Sequence, residues 1–108
     1  MGEFFKYEWK CNNFWCRNKI IGCVGYDEET FKQKVVFFCP QCNNSKSIVL
    51  KISPFVDKKT IEKIKAPYKI CEKCKNTMID LDYDTDVVCP ECHKGRLKIS
   101  KTELLFLT

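Results

Sequence analysis

Cys71-Glu72-Lys73-Cys74 and, beyond the intervening stretch 75–88, Cys89-Pro90-Glu91-Cys92 decide how this chain is built. Two thiols held two residues apart curl round one cation and fill half of a tetrahedral shell, and a second pair completes it. The same device occurs upstream as Cys11-Asn12-Asn13-Phe14-Trp15-Cys16 and, beyond the stretch 17–38, Cys39-Pro40-Gln41-Cys42. Taken in chain order, the pairs make two four-cysteine sites, Cys11/Cys16/Cys39/Cys42 and Cys71/Cys74/Cys89/Cys92. Such a donor set suits Zn2+, one ion per site and two in all, while iron uses the same four thiolates.

Cysteine makes up 9 of the 108 residues, a fraction shared with secreted disulfide scaffolds. Close pairing, an odd count and an amino-terminal stretch without an apolar run argue instead for metal in a reducing compartment. The expected location is cytoplasmic, or nuclear in a eukaryote, and not secreted. No stretch approaches the roughly 18 apolar residues of a membrane span. The formal net charge of +5 omits the metal. Each occupied four-cysteine site adds a net −2, which leaves about +1 for the loaded chain. The surplus is local to the middle. Residues 53–70 hold five Lys/Arg against two Asp/Glu, and residues 71–108 hold six against seven.

The chain divides at 1–52, 53–67 and 68–108. In the first unit, strands are expected over Phe4–Lys10, Lys19–Tyr26, Lys34–Phe38 and Ser47–Ile52, so that each cysteine pair sits at a hairpin tip. In the third, Tyr68–Ile70 leads into Cys71, Met78–Val88 crosses between the pairs, and Arg96–Leu107 closes the unit. Between them Pro54 breaks the strand, Asp57 caps a helix over Lys58–Ala66, and Pro67 ends it. Ile61 and Ile64 share one side of that helix and its lysines spread over the other. The expected fold is small, metal-stabilised and mainly β: two consecutive metal-binding units joined by a short helix.

A cysteine pair followed by Cys-Pro-x-Cys in a strand-rich setting resembles the zinc-ribbon family. Cys71-x2-Cys74-x14-Cys89-x2-Cys92 fits the pattern closely, and Cys11-x4-Cys16-x22-Cys39-x2-Cys42 fits with a longer first knuckle. The resemblance implies tandem zinc ribbons whose ions are structural. It says little about activity, because ribbons serve in polymerase subunits, ribosomal proteins, replication proteins and adaptors.

Other readings of the same residues are weaker. Cys89-x2-Cys92-His93 matches a haem-attachment motif, but Cys71/Cys74 already partners that pair. His93 is an alternative ligand to Cys92. Dithiol redox chemistry requires a βαβ setting that the pattern lacks. Cys23, in the apolar run Ile20–Val24, reads as a small core residue; a pairing of Cys16 with Cys23 in place of Cys11 is the alternative.

Three surfaces are candidates for function. Lys58, Lys59, Lys63 and Lys65 form the candidate nucleic-acid contact, set against a merely solvated helix face. Phe14 and Trp15, inside the first knuckle, are candidates for base stacking or a protein interface, unless one folds back on the core. Asp80, Asp82, Asp84 and Asp86 alternate as the acidic face of one strand. The apolar end Leu104–Leu107 either completes the second unit's sheet or adds a strand to a partner. These features lead to the expectation of a non-enzymatic zinc-binding adaptor or accessory subunit of a nucleic-acid machine, in transcription, translation or replication. Its partners would be nucleic acid and/or a larger protein complex, with neither a membrane nor a small-molecule substrate. A protein-interaction module without nucleic-acid contact, including a viral or phage regulator, is the alternative. A rubredoxin-like iron electron carrier is third.

Overall fold

The apolar run Val35-Val36-Phe37-Phe38 organises the molecule. In the computed structural model, which describes residues 2–107, all four side chains are buried. A strand is covered on both faces when successive residues, which point to opposite sides, are all apolar. The seven strands are β1 (Gly2–Cys11), β2 (Lys19–Asp27), β3 (Lys32–Cys39), β4 (Asn44–Lys51), β5 (Ile79–Leu81), β6 (Val87–Val88) and β7 (Arg96–Leu107). They form one antiparallel sheet in the order β4-β3-β2-β1-β7-β6, with β5 added to β3.

The sheet forks. β2 and β3 pair only over Gly25–Asp27 and Lys32–Lys34. Beyond that point β3 leaves β2 and pairs with β5 through Val36–Phe38. Val36 and Phe38 then join Trp9, Ile20, Leu81 and Leu97 in one core. Val35 and Phe37 face the other way and join Leu50, Ile52 and Met78 in a second. Gly22 permits the crossing, because a Cβ there would collide with Val36 Cγ2. Trp9, fully buried, ties the layers together by donating from Nε1 to the Asp82 carbonyl at 2.8 Å.

The helix α1 (Lys58–Lys65) begins where the sequence places it, with Asp57 Oδ1 accepting from the Thr60 amide at 2.9 Å. Ile61 and Ile64 pack on the second core. A 3-10 turn over Ala66–Lys69 follows, where an entering strand was expected, and only Ile70 bridges to Thr77.

The expected boundaries at 52 and 68 do not separate two sheets. β7 pairs with β1 from Gly2↔Leu107 to Cys11↔Leu97, and β5 pairs with β3. The carboxy-terminal strand therefore closes on the first strand of the chain. The physical cause lies in the fork: once β3 has turned its second half away from β2, it needs another strand, and β5 supplies it.

Candidate metal centres and the surfaces around them

The strand pairing brings the cysteine pairs together in a nested order. β1 ends at Cys11 and β7 begins just after Cys92, so their pairing sets the first knuckle against the last. β3 ends at Cys39 and its partner β5 follows the third knuckle, which sets the two inner knuckles together. The resulting groups are Cys11/Cys16/Cys89/Cys92 (centre one) and Cys39/Cys42/Cys71/Cys74 (centre two), with sulfurs of each group within 4.8 Å of one another. This corrects the expected grouping in chain order. Each pair is only half a shell, and its own spacing carries no information on which other half it meets.

The geometry fits a four-thiolate cage. Metal–sulfur bonds of about 2.3 Å in a tetrahedron place sulfurs about 3.8 Å apart. In centre one, Cys11–Cys92 is 3.6 Å and Cys16–Cys89 is 3.7 Å. In centre two, Cys39–Cys74 and Cys42–Cys71 are both 3.3 Å, slightly contracted. All nine cysteines are free thiols and the sulfurs stand well beyond disulfide length. Cys11, Cys39, Cys71 and Cys89 are buried, so each cage is anchored in the core by two ligands and capped by two half-exposed ones.

The three knuckles of the Cys-x2-Cys type share one backbone design. The amides of Asn43, Lys75 and His93, each just after the second cysteine, donate to the carbonyls of Cys39, Cys71 and Cys89 at 3.0, 2.9 and 2.9 Å. All three have positive φ, at 61°, 64° and 58°. His93 is therefore an exposed turn residue that follows the cage, and its neighbour Cys92 supplies the ligand.

Amides aim at the sulfurs. Asn13 N donates to Cys11 and Gly95 N to Cys92, both at 3.4 Å. Side-chain amides of Asn18 and Asn76 reach Cys89 and Cys74 at 3.4 Å, and that of Asn44 reaches Cys71 at 3.7 Å. Such donors stabilise thiolate and orient it. The Asn13 side chain and the Gly95 amide bring Cys92 down to about 6, and the Cys74 amide does the same for Cys71. Burial pushes the Cys11 thiol up to about 12, and donation to Cys71 raises Cys42 to about 12. Bare cages thus hold thiols and thiolates side by side, a mixture that a cation resolves. Gly95 is required by close approach, since a Cβ there would lie 2.5 Å from Cys11 Sγ. The sequence reading missed these supporting residues. Their visible signal was the run of asparagines flanking the knuckles.

No known family model matches the chain, and neither a curated protein nor a solved structure matches it.

Of the remaining candidates, Phe14 and Trp15 are 89% and 85% exposed, with rings 5.3 Å apart and edge-on. Neither folds back on the core. Lys58, Lys59 and Lys63 are exposed on α1, but Lys65 is buried and pairs with Asp80 at 3.4 Å. Lys69 meets the same carboxylate at 3.6 Å. The four aspartates do not share a strand face. Asp80 holds these lysines; Asp82 organises the turn to Thr85; Asp86 binds Arg96 at 2.5 Å and Lys98 at 3.7 Å. Strand β5 ends at Leu81, so the alternation that placed them together is broken. Cys23 lies half-buried in β2 opposite Lys6, outside both cages. Among the described residues no helix is long and apolar enough to cross a membrane.

Proposed function

We propose that this chain is a non-enzymatic adaptor or accessory subunit of a nucleic-acid machine, loaded with two zinc ions in ribbon-like knuckles and contacting both nucleic acid and protein. Four cysteines per ion close the coordination shell, which leaves no open position for a substrate and assigns the metal to architecture. The observation that carries the reading is at the first knuckle. Its cage is anchored by the buried Cys11 and Cys89, yet Phe14 and Trp15 on its rim stand almost fully in water. Neighbouring exposed aromatic rings lose hydration favourably only against a partner.

A second reading, a protein-interaction module without nucleic-acid contact, draws on β7. Among the described residues β6 pairs only with Arg96 and Leu97, which leaves the remainder of that edge of β7 open for strand addition. Iron in place of zinc would make the protein an electron carrier, and it would be red.

Nucleic-acid capture tests the main reading. The zinc-loaded, colourless protein is expected to retain fragments from a mixed pool of cellular RNA and sheared DNA near physiological salt, and to lose them at high salt. Failure to retain either, with both ions in place, would refute it in favour of the interaction module.

A further inference from the structure

Lys19, Lys10 and Lys98 lie in one row across three strands. Lys10 is directly opposite Lys19 on β2 and directly opposite Lys98 on β7. Residues paired across antiparallel strands share a face, with neighbouring strands about 4.8 Å apart. Like charges placed so are destabilising. The nearby acids compensate only in part. Lys19 reaches the largely shielded Glu8 at 3.8 Å, and Lys98 reaches Asp86 at 3.7 Å in an exposed pair of small worth. Lys10 has no ion pair among the described residues. Lys6 and Lys101 continue the same face, against Glu8 and Glu103.

This row ends at the first knuckle. A groove of about 670 Å³ is walled by Lys10, Asn12, Asn13, Phe14, Arg17 and Lys19, with Cys11 and Cys16 of centre one at its floor, and no carboxylate lines it. Three cations, two asparagines and an exposed aromatic ring thus converge on one concave surface large enough for a nucleotide.

We infer that this groove and the lysine row form a binding track for single-stranded nucleic acid. The backbone phosphates follow Lys98, Lys10 and Lys19, and an unpaired base stacks on Phe14, with Trp15 serving the next base. Phosphate neutralises the row of like charges, which accounts for an arrangement that otherwise destabilises the sheet. An exposed ring rewards an unpaired base and gains nothing from the interior of a duplex, so a single strand is favoured. The inference rests on the nucleic-acid reading above and moves the contact from α1 to the sheet face.

The test uses the two-metal protein and anisotropy of labelled oligothymidylate, oligouridylate and a duplex, each of roughly 12 nucleotides per strand. Both single strands are expected to bind more tightly than the duplex, with affinity falling steeply between about 50 and 200 mM salt. Their ratio tells DNA from RNA. Lys10→Glu/Lys19→Glu and, separately, Lys19→Glu/Lys98→Glu should each weaken binding by more than about tenfold and flatten the salt dependence. Phe14→Ala/Trp15→Ala should weaken it by about tenfold with the salt dependence unchanged. Metal content of every variant reports that the cages are intact, and quenching of Trp15 in the unaltered protein reports binding without any substitution. Loss of binding in Lys58→Glu/Lys59→Glu/Lys63→Glu but not in the sheet variants would overturn this site and leave the nucleic-acid reading standing. Tighter binding to vesicles of anionic lipid than to either single strand would overturn it in favour of a membrane surface. Absence of binding to all three oligonucleotides would overturn it directly.

Discussion

The two centres use the same four donors but stand in opposite relation to the chain. Centre two joins Cys42 to Cys71 across the segment 43–70 and is packed beside α1 through Ile61 and Ile64. Centre one joins Cys16 to Cys89 across the much longer segment 17–88 and carries the exposed aromatics and the lysine row. In an unfolded chain the longer closure costs about 0.8 kcal/mol more. Once centre two has closed, the path to centre one shortens to the flanking segments 17–38 and 75–88, and the difference largely vanishes. The inner centre is the more local of the two, and its closure shortens the loop that the outer one must close. The outer centre is also where the exposed aromatics and the lysine row lie.

The largest expected effect comes from removing both ions. Structural zinc contributes on the order of 10–16 kcal/mol per site at neutral pH, which rivals or exceeds the whole stability of a small domain. A strong chelator should therefore abolish the strand signal in circular dichroism and expose Trp9 to water, and added zinc should restore both. Retention of the fold without metal would show that the cages are not its scaffold. The sign of the pH effect follows from the thiols. Cys11 and Cys42, held up to about 12, must lose protons to bind. Apparent affinity should rise with pH, and below about 6 it should fall more steeply as Cys71 and Cys92 also take up protons.

Next in size is the loss of a single centre, and two double variants distinguish the nested grouping from the consecutive one. Cys11→Ser/Cys89→Ser strikes only centre one in the nested arrangement and should leave one ion per chain by elemental analysis. Cys11→Ser/Cys39→Ser strikes both centres and should leave none tightly held. Consecutive grouping reverses the two outcomes, because Cys11 and Cys39 would then share a cage.

The contrast between the centres also explains what was legible in the sequence. All eight cysteines of the two cages, the helix with its Asp57 cap and most strands could be read from local spacing. The arrangement of Cys11 with Cys89 could not, because it depends on β1 meeting β7 at the opposite end of the chain. One cue was present. The unbroken apolar run Val35–Phe38 requires cover on both faces, and a lone ribbon has only one face to bury. Lys65 shows the same limit at smaller scale. Its place on the basic side of the helix follows from the wheel, but its burial against Asp80 follows from β5. The basic face at Lys10, Lys19 and Lys98 appears only when three strands are in register, so local composition gave no sign of it.

The smallest expected effect tests whether the centres communicate. Asn18 Nδ2 donates both to Cys89 Sγ in centre one and, at 2.9 Å, to Asn43 Oδ1, while Asn43 Nδ2 returns a bond at 3.1 Å. Asn43 is the turn residue that closes the Cys39–Cys42 knuckle of centre two, and its side-chain amide also reaches Glu91 between Cys89 and Cys92 at 2.9 Å. Asn18→Ala removes the sulfur contact and the Asn18–Asn43 bonds together but leaves the Asn43–Glu91 bond. Donors of this kind are worth roughly 10-fold in metal affinity. Asn43→Gly keeps the positive φ and removes both side-chain bridges, to Asn18 and to Glu91, while leaving the Asn18 contact to Cys89 in place. In stepwise Co2+ titration, Asn18→Ala should weaken centre one by about tenfold, and Asn43→Gly should weaken it by a few-fold, about 1 kcal/mol for a lost side-chain bond. If Asn43→Gly leaves centre one untouched, the two cages are joined only by the sheet between them. If it weakens centre one while centre two keeps its affinity, the asparagine pair is the path by which the inner centre stabilises the outer.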